Sequence, residues 1–280
     1  MRIAGRERIS RAPAALTMLH LRQLLEDETR PGRLDRAALD LASIHFPDLK
    51  PEPFLDQLND LASRLGDRLR NFNDGRDFVE TAQRYLFGEL GFHGNEEDFF
   101  DPRNSCLNQV LERRTGLPIT LSVMYMEIAR RLQMPVFGIG LPRHFVLQFD
   151  DGNYSTYIDP FHGGRIITAQ DCFTLAGSDV ANPALLRRVS KKQIAVRMLQ
   201  NLHRVYVRAR DFERAVATLD LMIAAAPETA PWYQARGALF KELGRWQSAR
   251  RDFETYLAMA PDAQDRARVV EQLLWLARLN

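Results

Sequence analysis

Residues 141–164 read LPRHFVLQFDDGNYSTYIDPFHGG. The segments HFVLQFD and STYIDPF are short, apolar and rich in aromatic and β-branched residues, which is the composition of strands. Between them, DDGN at 150–153 is hairpin-turn chemistry. His144 opens the first segment and Asp159 lies near the end of the second. An antiparallel pair built this way sets a histidine beside an aspartate, two of the three groups that a thiol acyl-transfer enzyme uses to activate its cysteine.

The residues before this hairpin read as helices. Phe54, Leu58, Leu61, Leu65, Leu69 and Phe72 recur at three- and four-residue steps and predict one apolar helix face. Pro51 and Pro53 stand at its start, where a missing N–H costs little. A second helix over 76–90 turns Phe78, Ala82, Tyr85, Leu86 and Leu90 inward and closes at Gly91. GFHGNEEDFFDPRNS reads as a structured loop with a helix start near Asp101 and Pro102. Residues 103–114 and 119–133 predict two more helices, the second with Leu121, Met124, Tyr125, Ile128 and Leu132 on one face. PVFGIGLP adds a strand ahead of His144. Helices followed by a small antiparallel sheet predict an α+β domain over 35–190, preceded by a flexible tail over 1–34.

From about residue 194 the chain is helical again and repeats itself. LQNLHRVYVRARDFERAVATLDLMIAAAP aligns with YQARGALFKELGRWQSARRDFETYLAMAP. Tyr206 pairs with Phe240, Phe212 with Trp246, Ala215 with Ala249, and Leu219 with Phe253, every pair 34 residues apart. That period, with alanine between aromatics and Pro227 and Pro261 closing each unit, resembles the tetratricopeptide repeat. Repeats are expected at about 196–229 and 230–263, with a capping helix over 265–278 and a repeat domain over 194–280. Gly237 and Gly244 fit the pattern, whereas the first repeat carries His203 and Arg210 at those places. Two repeats are fewer than the usual minimum of three, so this module is expected to lean on the α+β domain.

Composition bounds the function. The 280 residues carry a formal net charge of +2, too mild to predict nucleic-acid binding. Only four of the 38 basic residues are lysine, and no compact arginine cluster stands out along the chain. No apolar run reaches the ~18 residues of a membrane span. The two cysteines, Cys106 and Cys172, are too few for a disulfide framework and fit a reducing cytoplasm. No metal-ligand spacing appears, and no cofactor is expected.

The order helix, strand with His, strand with Asp-Pro resembles the transglutaminase-like (papain-related) core, in which a cysteine at the first core helix's N-terminus completes the triad with the counterparts of His144 and Asp159. Here that position falls around Pro118–Thr120, in GLPITLS, and holds no cysteine. Thr120 and Ser122 offer hydroxyls, which need strong base assistance; the alternative is that one of them caps the helix. Cys106 lies one helix too early and reads as an inert buried thiol, and Cys172 as a packing residue. His144 is a general base or a structural partner of Asp159. Asn104 and Asn108, with Arg113, form a polar set before the core helix, and Arg113 is expected to pair with Glu112 or Asp101. Arg143 is a candidate for binding an anionic group, and His162 is a binding candidate or a loop side chain before the Gly163-Gly164 turn.

Taken together, Gly94-Asn95, the DPRNS run at 101–105, VLERRTGLPI at 110–119, His144-Phe145 and IDPFHGG at 158–164, followed by two repeats, closely resemble the bacterial SirB family over residues 36–280. The resemblance implies a transglutaminase-like protein with a tetratricopeptide C-terminus and no proven reaction. It also implies glycine where this chain has Arg143. Three functions follow as expectations. The first is a non-catalytic core that binds a protein or peptide partner in a regulatory role. The second is an acyl-transfer enzyme or hydrolase using His144 and Asp159 with Thr120, Ser122 or Cys106. The third is a scaffold acting through the repeats alone.

Overall fold

The computed structural model describes residues 18–27, 32–178 and 180–278. Four helices lead: α1 (Leu19–Glu26), α2 (Leu34–Ala42), α3 (Glu52–Gly66) and α4 (Gly75–Ala82), the last running on into a π-helical stretch, Gln83–Glu89. A two-residue strand β1 (His93–Gly94), a 3₁₀ turn (Pro102–Ser105), α5 (Leu107–Arg113) and β2 (Thr115–Gly116) follow, then the central helix α6 (Pro118–Arg131). The sheet is β3 (Val136–Ile139), β4 (Val146–Asp150), β5 (Ser155–Asp159) and β6 (Arg165–Ile167), ordered β3-β4-β5-β6 and antiparallel throughout. Helix α7 (Ala169–Leu175) leads to two hairpins, α8 (Lys191–Arg208) with α9 (Phe212–Ala225) and α10 (Ala230–Glu242) with α11 (Trp246–Met259), and then to α12 (Arg266–Ala277). The α+β architecture expected from the sequence is the architecture observed.

Alternation places the sheet. Leu147 and Ile158 face one another across β4 and β5, and both are fully buried against the helices. The β4–β5 turn is held by the Asp151 carboxylate, which accepts from the backbone N–H groups of Asn153 and Tyr154, and Gly152 supplies the positive φ of 87°. Helix α6 is buried nearly all round, between α2, α3 and α5 on one side and β3 and β4 on the other.

Three local readings need correction. Within the stretch predicted as a flexible tail, residues 19–26 form α1, whose Leu21, Leu24 and Leu25 are buried against α2, α8 and α9; the leucine spacing suits a packed helix. The remainder, 1–17 and 28–31, lies outside the described residues. The helix expected to reach Phe72 ends at Gly66 and leaves Phe72 exposed. The Asp77 carboxylate draws in the N–H groups of Arg70 and Asn71, at 2.7 and 3.1 Å, and so bends the chain away from the helix. Strand β6, within GRIIT, was not anticipated; two-thirds of it is exposed, so it has no apolar run to announce it.

The first repeat is fused to the core. Ile194, Met198, Leu199, Leu202 and Tyr206 of α8 belong to the same hydrophobic cluster as α1–α6 and the sheet. Across the seam, the Tyr206 hydroxyl and His45 Nδ1 share a hydrogen bond at 3.3 Å, and Arg214 Nε donates to the Ile44 carbonyl. The second repeat has its own small cluster around Ala249, Phe253, Tyr256, Val269 and Leu276.

Candidate functional site

Asp159 ends β5 with its carboxylate wholly buried, so every lone pair must find a donor. His144 Nε2–H donates to Oδ1 at 3.0 Å, and His162 Nδ1–H donates to Oδ2 at 2.6 Å. The backbone N–H groups of Phe161 and His162 also donate to Oδ1, at 3.1 and 3.4 Å. Burial pushes the Asp159 carboxyl toward protonation, but the hydrogen bonds and charges of His144 and His162 outweigh it and hold the pKa below the ordinary carboxylate range. An ionised carboxylate accepts only, which places a proton on Nε2 of His144 and on Nδ1 of His162. The two imidazoles stack with centroids 5.5 Å apart. Thus His162, read from sequence as a binding or loop residue, is a second partner of the same aspartate. The ligand-capable atoms of His144, Asp159 and His162 lie within 4.8 Å of one another, a grouping that chain spacing did not suggest, and these hydrogen bonds occupy the atoms that face inward.

The motif residues around this pair hold one another in place. A Cβ on Gly94 would sit 2.4 Å from the Phe161 ring, so only glycine lets β1 pass over the DPF segment, and Gly94 N–H donates to the Phe161 carbonyl. Asn104 is wholly buried: its Nδ2 donates to the Asp98 carbonyl at 2.7 Å, its Oδ1 accepts from Asn95, and its carbonyl accepts from the Leu117 N–H that leads into α6. These bonds are structural and keep Asn104 out of the cavity beside His144. Asn108 lies beside a different cavity, between the α2–α3 connection and α5. Arg113 pairs with Asp101 at 3.2 Å, one of the two expected acids.

The three nucleophile candidates are all elsewhere. Helix α6 begins at Pro118 with Leu117 at its N-cap and no side-chain cap, so neither Thr120 nor Ser122 does the capping proposed for it; proline at the first turn needs no donor partner. Ser122 Oγ donates back to the Pro118 carbonyl at 2.7 Å, and Thr120 is fully buried, its hydroxyl without a partner among the described residues. Cys106 stands at the N-cap of α5, fully enclosed, and burial pushes its thiol up to about 12. Burial likewise pushes Cys172 up to about 12, in a small cluster with Ile139, Leu141 and Val146.

His144 opens onto a cavity of about 690 Å³. From α6 that cavity receives Pro118 and Ile119, and none of Thr120, Ser122 or Cys106 lines it. The loop 140–145 forms another side, with Arg143 in the left-handed region at φ 62°. Glycine would take that conformation without the ~1–2 kcal/mol it costs a side-chain-bearing residue. The loop is clamped from the first repeat: Arg197 of α8 donates to the carbonyls of Leu141 and His144. Neither Arg197 nor the segment 184–189 across the cavity was singled out from the sequence; the i, i+3, i+4, i+7 spacing of Arg197, Gln200, Asn201 and Arg204 was the available signal.

Comparison with known proteins agrees with the fold class. Residues 52–200 match the family described as the transglutaminase-like superfamily, and residues 202–274 match a tetratricopeptide repeat family. A UPF0162 protein of Xylella fastidiosa is 33% identical over 249 residues, covering 86% of this chain and 88% of that protein. Human F-box only protein 21 is 33% identical over 180 residues, 60% of this chain and 28% of that one. Among solved structures, menin covers 91% of this chain and 73% of its own at 14% identity and a TM-score of 0.42, a likeness too low to argue from. The chain therefore belongs to the transglutaminase-like superfamily and to the UPF0162 group, and in it that core is followed by tetratricopeptide repeats.

Proposed function

We propose that this chain is a SirB-type binding or regulatory module, which holds a protein or peptide partner in the cavity beside His144 and performs no chemistry on it. One observation carries the reading: where a transglutaminase-like core would present its nucleophile, the cavity receives Pro118 and Ile119. A general base needs a group within about 2.6–3.2 Å to deprotonate, and neither side chain has an acidic proton. His144 and Asp159 then act as a rigid frame that fixes the loop 140–145 and the DPFHGG turn. Tetratricopeptide repeats commonly mediate protein interactions, which suits a partner reaching the cavity from α8. Two buried, unpaired thiols support the cytoplasm as its compartment.

Activity profiling tests this directly. The folded protein is expected to take no label from acylating or thiol-directed probes and to show no amidase, peptidase or transglutaminase turnover. Turnover that disappears in His144→Ala would overturn the reading and restore the enzyme alternative.

A further inference from the structure

The cavity beside His144 is cationic. Arg143, Arg187, Arg197 and Arg204 line it and no aspartate or glutamate does. Among the described residues none of these four forms an ion pair. Arg197 is half-enclosed, and burial, with a smaller contribution from the charge of Arg204, lowers its pKa. In a chain whose formal net charge is only +2, and whose other arginines are widely paired, such a concentration is unusual. It is also a product of folding: the four come from the 140–145 loop, the 184–189 segment and α8.

The cavity does not end there. A second one, of about 420 Å³, shares Gly140, Phe145, Val189, Arg197 and Gln200 with it and continues to Ala226 and Trp232 of the repeats. Lys192 adds a further cation, and again no carboxylate lines the wall. The two form one groove that runs from His144 across α8 to the start of α10. Its walls set cations beside apolar surface from Phe99, Val189, Val196 and Trp232.

We propose that this groove binds an extended acidic peptide segment, its carboxylates on Arg143, Arg187, Arg204 and Lys192 and an apolar side chain on Trp232. The inference rests on the binding reading above and names the partner's chemistry. Unpaired guanidinium groups suit carboxylates, which they grip bidentately. The length of the groove and its apolar patches suit a peptide better than a small anion. A recessed groove whose aromatic surface is the exposed Phe99 at one end and the half-buried Trp232 at the other lacks the row of stacking platforms that single-stranded nucleic acid uses.

The test uses the full chain and a fluorescein-labelled ten-residue peptide of alternating Glu and Leu, followed by anisotropy, with a Gln/Leu peptide as control. The acidic peptide is expected to bind about ten-fold more tightly than the control and to weaken about ten-fold between 50 and 250 mM NaCl. Arg187→Glu and Arg204→Glu are each expected to weaken it about five-fold or more. Both side chains are exposed and unpaired, so the fold is retained, and either variant alone suffices. Lys50→Glu, at a different cavity, should change nothing. Trp232→Ala should weaken binding about five-fold at both salt concentrations, since its contribution is apolar. Equal binding of the control peptide, indifference to both arginine reversals, complete displacement by 1 mM inorganic phosphate, or tighter binding of oligo-dT than of the peptide would each overturn the proposal. Mass spectrometry of the recovered peptide separates the two readings. A peptide bound selectively but cleaved would support this assignment and sink the non-catalytic one. A partner held elsewhere while the acidic peptide is ignored would do the reverse.

Discussion

The two repeat hairpins descend from one pattern but live in different surroundings, and the difference explains their sequences. Gly237 of α10 is required because a Cβ there would meet the Phe253 ring at 2.9 Å and the Ala249 carbonyl at 3.3 Å. The matching residue in the first hairpin is His203, and the residue matching Phe253 is the smaller Leu219. The space so released admits an imidazole, whose Nδ1 approaches the Ala215 carbonyl and the Thr218 hydroxyl at 3.3 and 3.2 Å. Ala215 is itself the counterpart of Ala249. At the turn, Gly244 (φ 69°) is matched by Arg210 (φ 57°), so the same left-handed backbone is kept without glycine. The first hairpin tolerates a weaker pattern because α1, α2 and α6 supply it with burial, whereas the second hairpin reaches the main core only through α10 (Leu239) and otherwise packs on its own small cluster.

The sharpest way to break this comparison is truncation at paired positions. Leu199 and Tyr233 are 34 residues apart; the first is wholly buried in the main core and the second packs partly buried on the small cluster. Leu199→Ala should cost about 2–5 kcal/mol and lower the melting of the whole chain. Tyr233→Ala should cost less and open only α10–α12, as native-state hydrogen exchange would report. Equal, global effects would mean that the hairpins are one unit.

Next in size is the Gly237/His203 exchange. Gly237→Ala should destabilise by about 1–3 kcal/mol through overpacking against Phe253, whereas His203→Ala should cost about 1 kcal/mol as its hydrogen bonds are lost. Denaturant titration measures both. A stabilising Gly237→Ala would show that the Phe253 ring yields freely.

Acid should separate the hairpins as well. His45 lies at the seam and His203 between α8 and α9, and burial first of all holds both imidazoles below their ordinary pKa of 6.5. Below about pH 6.5 the unfolded chain therefore binds more protons than the folded one. Stability is full above that pH and falls as the pH drops through it. Hydrogen exchange across α8–α9 should quicken between pH 7.5 and 5.5 after correction for intrinsic rates. In α10–α11 it should change little, since residues 230–259 contain no histidine. A His203→Gln chain with an undiminished acid response would assign the effect elsewhere.

The smallest effect is at the turn. Arg210→Gly removes about 1–2 kcal/mol of left-handed strain and adds about 0.5–1 kcal/mol of unfolded-chain entropy, so thermal melting should show a gain of about 0–1.5 kcal/mol. A loss would show that the stacking of Arg210 on Phe212 matters more than its backbone.

Much of this was legible along the chain. Composition and turn chemistry marked the hairpin, the 34-residue period marked both repeats, and GLPITLS showed that no thiol stands at the head of α6. What escaped was everything made by convergence. His162 reads as a loop residue until its ring is seen to meet the buried Asp159 carboxylate. Arg143, Arg187 and Arg197 are scattered single charges until the loop, the 184–189 segment and α8 close around one cavity.

The sequence by itself determined most of the element types, the repeat register and the missing nucleophile, because periodicity, turn residues and the identity of one position are local properties. Only the tertiary structure decided that the first repeat is part of the core, that Asp159 serves two histidines, and that unpaired cations line one groove. Those depend on which distant surfaces exclude water together, and a buried charge or apolar face acquires its partners only when the chain has closed around it.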